Sequence, residues 1–143
     1  MDIMIWALRK NDPDDWLDMP AEGYRLINEV EEKFKPNLDK TKYATRYPQN
    51  DSNVSRSLVI EYLIDLDRKI KGEFLFGEQP KLADIAIFPF VRQFANIDIK
   101  WFNEFGWEKL QNWLKAFVES KMFDKSQKKF VQWRPNANPV FFP

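Results

Sequence analysis

The chain has 143 residues, with 22 Lys+Arg against 22 Asp+Glu, and contains neither Cys nor His. That length suits one domain able to bury roughly two-thirds of its unfolded surface without covalent staples. The missing Cys and His exclude disulfides, thiolate nucleophiles, Ser-His-Asp and Cys-His hydrolysis, and zinc-hydrolase chemistry. Balanced charge argues against a dedicated nucleic-acid binder, which carries a basic surplus. The longest apolar run, Ile85 to Val91 counting Pro89, falls far short of the ~20 residues of a membrane span. Met1 is followed by Asp2 and by no basic stretch, so no signal peptide is expected and the expected location is the cytoplasm. Thirteen Phe, six Trp and four Tyr supply large rings for a core or for an apolar pocket.

The period along the chain is helical almost everywhere. Residues 2–9 carry Ile3, Met4, Trp6, Ala7 and Leu8, a short helix apolar on most sides that Asn11-Asp12-Pro13 stops. A second helix is expected from about Ala21 into the Phe34 region. Tyr24, Ile27, Val30 and Phe34 lie at three- and four-residue spacings there, and Pro36 is expected to kink or end it. Residues 37–47 keep some helical character, and 47–52 is a turn by composition in which Asp51 or Ser52 caps the next helix. That third helix, Ser55 to Lys71, presents Leu58, Val59, Tyr62, Leu63, Leu66 and Ile70 as one stripe, with Gly72 closing it. A fourth, from Lys81 or Leu82 to about Asn96, is apolar nearly all round and belongs in the centre of a bundle. Pro89 within it removes one hydrogen bond and is expected to bend it. A fifth runs from about Trp107 to Glu119, with Leu110, Leu114 and Phe117 on one side. The last twenty residues, rich in Pro, Asn and aromatics, are expected to wrap the surface irregularly. No strand-like alternation persists, and the expected fold class is an all-α bundle.

The most distinctive stretch runs Phe74-Leu75-Phe76-Gly77-Glu78-Gln79-Pro80-Lys81-Leu82-Ala83-Asp84-Ile85-Ala86-Ile87-Phe88-Pro89-Phe90. It resembles the folding signature of the C-terminal helical domain of glutathione S-transferases, where a short link precedes a central helix opened by a Ser/Thr-x-x-Asp capping box. Asp84 stands at the carboxylate position of that box. Lys81 departs from the pattern: its side chain has no acceptor oxygen, so Asp84 is expected to hold the first turn alone, as a structural and not a catalytic residue. Met1-Asp2-Ile3-Met4-Ile5-Trp6-Ala7-Leu8 resembles the last helix of the thioredoxin-like domain that precedes the bundle in these enzymes. The resemblance therefore divides the chain into 1–10, the end of that preceding domain; 11–20, a linker; and 21–143, the helical domain.

In the family, glutathione binding and thiolate activation belong mainly to the thioredoxin-like domain, and the bundle supplies the pocket for an electrophilic co-substrate. The resemblance thus implies no catalytic residue and no metal within this chain. Glutathione enters as a co-substrate held mainly by the other domain, and a small electrophile is the partner. The complete protein is expected to be a homodimer that engages neither nucleic acid nor membrane. A free-standing, non-catalytic interaction module built on the same bundle is the alternative.

Tyr43 and Tyr47 are spaced like one helical face, beside Lys42 and Arg46. They either pack at a bundle edge or offer phenols to a substrate. Trp101, Phe102, Phe105 and Trp107 either fill one end of the bundle or wall an apolar pocket. By the resemblance, Tyr43, Tyr47 and Trp101 are the candidates for the co-substrate side. Asp12, Asp14, Asp15 and Asp18 lack the loop glycine and the bidentate Glu of a calcium loop, and suit a solvated linker. The segment from Lys121 to Pro143 interleaves five basic residues with Phe123, Phe130 and Trp133, a pattern shared with single-strand nucleic-acid grooves. A solvated wrap over the bundle is the simpler account of it.

Overall fold

The computed structural model describes residues 2–139, and among them the regular structure is helical, with no strand. The helices are α1 (Asp2–Leu8), α2 (Ala21–Glu29), α3 (Lys35–Lys42), α4 (Ser52–Lys69), α5 (Leu82–Ala95), α6 (Ile99–Glu104), α7 (Glu108–Val118) and α8 (Lys121–Ser126). The all-α expectation holds.

α2 and α3 are joined by continuous helical backbone. Pro36 does not end it, although an end was one of the two outcomes that the sequence reading allowed. Between the two helices, Val30–Phe34 widens into a π-turn, and the Lys35 N–H reaches back five residues to the Val30 carbonyl. A proline one residue beyond such a turn lies at the start of the next α segment, where its missing N–H and fixed φ are tolerated. The same wide turn directs Leu26, Ile27, Val30, Phe34 and Leu38 inward, all of them buried. Tyr24, assigned to this stripe from its spacing, stands at its exposed edge.

α4 begins three residues earlier than expected because Asp51 caps it, its carboxylate accepting the Asn53 N–H at 2.8 Å. Val59, Leu63, Leu66 and Ile70 form its buried stripe, whereas Leu58 points outward at 46% exposure. Gly72 does not close the helix. α4 ends at Lys69 with Ile70 extended beyond it, and Gly72 serves a close approach instead. A Cβ at position 72 would lie 2.8 Å from the Gly77 carbonyl oxygen. Gly77, at φ 139°, occupies a conformation that side chains disfavour and so closes the tight Phe74–Gly77 bridge.

The next link and α5 are organised by one carboxylate. Asp84 is fully buried. Its Oδ2 accepts the Lys81 N–H at 2.9 Å, and its Oδ1 accepts both the Leu75 N–H at 2.9 Å and the Trp113 indole N–H at 2.8 Å. The expected capping contact is present, and the same group also joins α5 to the preceding link and to α7. Lys81, unable to accept, donates its ammonium to the Asp15 carbonyl at 2.9 Å. Burial pushes the Asp84 carboxyl above the ordinary carboxylate range, while its three N–H donors pull in the opposite direction.

The N-terminus of α7 has no capping side chain of its own. Asp67 of α4 takes that place, accepting the Leu110 N–H at 2.8 Å, and Lys109 returns its ammonium to the Ile70 carbonyl at the end of α4. This exchange of charge between opposite helix ends matches the helix dipoles. α5, apolar on most sides, lies between α2–α3 and α7, with Leu82, Ala83, Ile87, Phe88, Val91, Phe94 and Ala95 buried.

α6 is absent from the sequence reading. Asp98 starts it, accepting the Trp101 N–H at 3.0 Å. In the linker, Asp12 accepts the N–H groups of Trp16 and Leu17, and the Trp16 carbonyl receives the Leu82 N–H at the start of α5. The C-terminal segment is irregular as expected, except for α8, and residues 128–139 are exposed throughout. Positions 1 and 140–143, included in the expectations for the two ends, lie outside the described residues.

One side chain on α4 carries a cost. Tyr62 packs its ring 5.0 Å from that of Phe34, but its buried hydroxyl has no hydrogen-bond partner among the described residues. Burial pushes this phenol upward, Glu29 and Asp65 add to the shift, and Arg25 opposes it. Removing an unsatisfied buried hydroxyl without changing the ring favours the folded state. Tyr62→Phe is therefore expected to raise the unfolding free energy by about 1 kcal/mol. Urea denaturation checks this, and a clear loss of stability would show that the hydroxyl is satisfied in solution.

Candidate functional site

Two adjoining clefts lie along the Pro89 side of α5. The larger, about 590 Å³, is lined by Lys42, Pro89, Phe90, Arg92, Gln93, Asn96 and Ile97. The smaller, about 370 Å³, is lined by Ile85, Phe88, Pro89, Arg92, Met122, Phe123, Ser126 and Gln127. Both volumes fall in the range of small-molecule sites. Pro89 and Arg92 belong to both clefts, so the two meet there.

Each wall has a local cause. α5 continues through Pro89, which has no N–H to give the Ile85 carbonyl. A proline inside a helix is best tolerated on an exposed side, and Pro89 is exposed. Arg92 comes one turn later and, with Asp84, is one of two charged residues in α5. Its guanidinium lies 4.9 Å from the Phe123 ring centroid. Phe123 in turn meets Phe88 edge-on at 5.4 Å. α8 is placed by Ser120, whose Oγ accepts the Phe123 N–H at 3.1 Å. This cap brings Met122 and Phe123 over α5. The smaller cleft is therefore mostly apolar with one cationic edge, and the larger mixes cations and amides with Pro89, Phe90 and Ile97.

The sequence candidates are distributed differently. Tyr43 is half-buried at the end of α3, with the Lys42 ammonium 5.1 Å and the Arg46 guanidinium 4.6 Å from its ring centroid. Tyr47 is half-buried just after the short 3₁₀ turn at Ala44–Arg46. Trp101 belongs to the ring cluster at one end of the bundle. It lies 6.2 Å from Phe94, 4.9 Å from Phe105 and 5.7 Å from Trp107, and carries the Arg56 guanidinium at 4.2 Å. Phe102 and Trp107 are buried in that cluster, and the Trp107 indole donates to the Phe102 carbonyl. The cluster fills the bundle end. None of the three candidates lines either cleft, although Lys42, stacked on Tyr43, does.

Arg92, Pro89, Met122 and Phe123 were not singled out as site residues from the sequence. For Arg92 a signal existed: a lone cation three residues after a proline, in a helix whose only other polar residue beyond its first turn is Gln93. For Met122 and Phe123 none did, because only the fold of the last helix brings them to α5.

Among the described residues no helix is long and apolar enough to cross a membrane. Comparison with the curated proteins and with the solved structures gives no match. A family model described as glutathione S-transferase, C-terminal domain, matches residues 50–116. That match runs from the cap of α4 through the Asp84-centred start of α5 and most of α7. Over this stretch the chain is similar to the C-terminal helical domain of glutathione S-transferases.

Proposed function

We propose that this helical domain supplies the co-substrate pocket of a glutathione S-transferase-like protein which, when complete, conjugates glutathione to an electrophilic, largely apolar compound. The observation that carries the reading is the mostly apolar cleft between Phe88 and Phe123 on the central helix of a domain similar to that of this family. The bundle's share in such a reaction is positioning: it holds an apolar body against α5 and excludes water from it. Activation of the glutathione thiol is assigned to a thioredoxin-like domain, so no catalytic residue is assigned within this chain. Tyr43, Tyr47 and Trp101 are kept as proposals for the co-substrate side. Tyr43 is the best placed, because its ring carries the Lys42 ammonium of the larger cleft. In this reading the complete protein is a cytoplasmic homodimer.

The native full-length product is expected to be retained on glutathione-agarose and eluted by millimolar glutathione. The pure 143-residue chain is expected to show no conjugation of glutathione to 1-chloro-2,4-dinitrobenzene above background. Conjugation by this chain alone would overturn the division of labour, and a full-length product that glutathione-agarose does not retain would count against the transferase reading.

A non-catalytic interaction module is the second reading. It is favoured by α1, whose Ile3 and Trp6 are 81% and 65% exposed. An apolar helix face of that kind suits a macromolecular neighbour.

A further inference from the structure

The chain is neutral as a whole, but positive charge is concentrated towards one end. From Lys121 to Arg134 stand five cations, Lys121, Lys125, Lys128, Lys129 and Arg134, against the single acid Asp124. Among the described residues none of the five takes part in an ion pair or a side-chain hydrogen bond. The apolar side chains between them do not return to the core: Val131 is 87% and Trp133 77% exposed. The wrap expected from the sequence thus leaves these two groups in solvent. A tryptophan and an aliphatic neighbour flanked by Lys and Arg suit a membrane–water interface. There the ring and the aliphatic chain enter the headgroup boundary, while long cationic side chains reach anionic phosphates.

Single-stranded nucleic acid fits the same segment less well. Successive bases need rings set along a groove. Here Phe123 packs on Phe88 and carries the Arg92 guanidinium, and Phe130 has the Lys128 ammonium 5.6 Å from its centroid. Val131 has no π-face to offer a base, yet it gains from transfer into hydrocarbon.

We propose that residues 121–134 make a peripheral contact with an anionic lipid bilayer, with Val131 and Trp133 entering the headgroup boundary and the five cations facing lipid phosphates. The contact lies on the surface and needs no spanning helix. It departs from the expectation, drawn from the resemblance, that the protein engages no membrane. It is also independent of the clefts along α5. Because the acids that balance the chain lie outside this segment, an anionic surface attracts this end and repels the remainder.

The probes are vesicles of phosphatidylcholine alone and vesicles in which phosphatidylglycerol replaces about one-third of it, co-sedimented with the full 143-residue chain. The chain is expected to sediment with the anionic vesicles and not with the neutral ones, and about 0.5 M salt is expected to weaken the binding. Lys128→Gln with Lys129→Gln is expected to weaken it roughly fivefold for each charge removed. Val131→Ser with Trp133→Ser keeps every charge and is expected to weaken it about tenfold or more. All four positions are exposed, and thermal melts check that each variant folds. No binding to either vesicle, equal binding to both, or either double variant binding like the wild type overturns the proposal. An oligothymidylate that the chain binds more tightly than the anionic vesicles assigns the segment to nucleic acid and overturns it as well.

Discussion

Asp84→Ala is expected to lower the unfolding free energy by about 3 kcal/mol or more, because two buried N–H groups and a partly buried one lose their acceptor at once. The Lys81 and Leu75 amides and the Trp113 indole all point at this carboxylate, and it is fully buried, so water does not readily take its place. An ordinary exposed cap is worth about 1 kcal/mol, so the excess measures the two links that reach beyond the capped turn. Asp84→Asn separates the parts. Its amide oxygen still accepts from Leu75 and Trp113, but its NH₂ group faces the Lys81 N–H, donor against donor. An intermediate loss is expected. Urea denaturation of the three proteins is the measurement, and a loss below about 1 kcal/mol for Asp84→Ala would show that the two additional bonds contribute nothing.

The pH dependence has a definite sign. Burial raises the Asp84 carboxyl in the folded state, so the folded chain holds this proton to higher pH than the unfolded chain does. The stability linked to that proton is fully present below the unfolded value of about 3.9 and is lost as pH rises through the folded value. The advantage of wild type over Asp84→Ala is thus expected to be larger near pH 3.5 than at pH 7. Paired denaturation curves at the two pH values decide it.

Phe34→Ala is the other large effect, with an expected loss of about 3–5 kcal/mol. Phe34 is 1% exposed, and its ring centroid lies 5.0 Å from that of Tyr62 on α4 and 6.5 Å from that of Phe94 on α5. Truncation opens a cavity where three helices meet, and the π-turn that carries Phe34 holds the surrounding backbone in place. Phe34→Leu keeps most of the volume and is expected to lose much less. A shift in the urea midpoint with an unchanged slope would locate the effect in the folded core. A loss of under about 1 kcal/mol for Phe34→Ala would mean that the bundle relaxes to fill the gap.

The elements that were legible in the sequence are those whose own residues decide them. α5 carries its apolar surround and its Asp84 start within fourteen residues, and α7 carries its stripe of Leu110, Leu114 and Phe117. The fold class and the family likeness rest on that local information. The continuity of α2 into α3 was not legible. Pro36 reads as a breaker by itself, and only the i→i−5 turn preceding it, held by the burial of Val30 and Phe34, makes it harmless. α6 was hidden for a similar reason. Six residues starting at Ile99 give too short a period to stand out, and the Asp98 cap with the packing of Phe102 and Trp107 stabilises them.

The sequence alone determined an all-α chain with neither Cys nor His, a central helix from Lys81 or Leu82 to about Asn96 and a carboxylate that opens it. Those properties rest on residue identity and on periodicity over a few turns. The tertiary structure decided that the same carboxylate also receives the Trp113 indole, 29 positions away. It likewise decided that Phe123 comes to lie against Phe88 and Arg92 in the smaller cleft, which meets the larger at Pro89 and Arg92. Such juxtapositions depend on how whole helices pack, and no local pattern of residues encodes the direction from which a distant ring arrives.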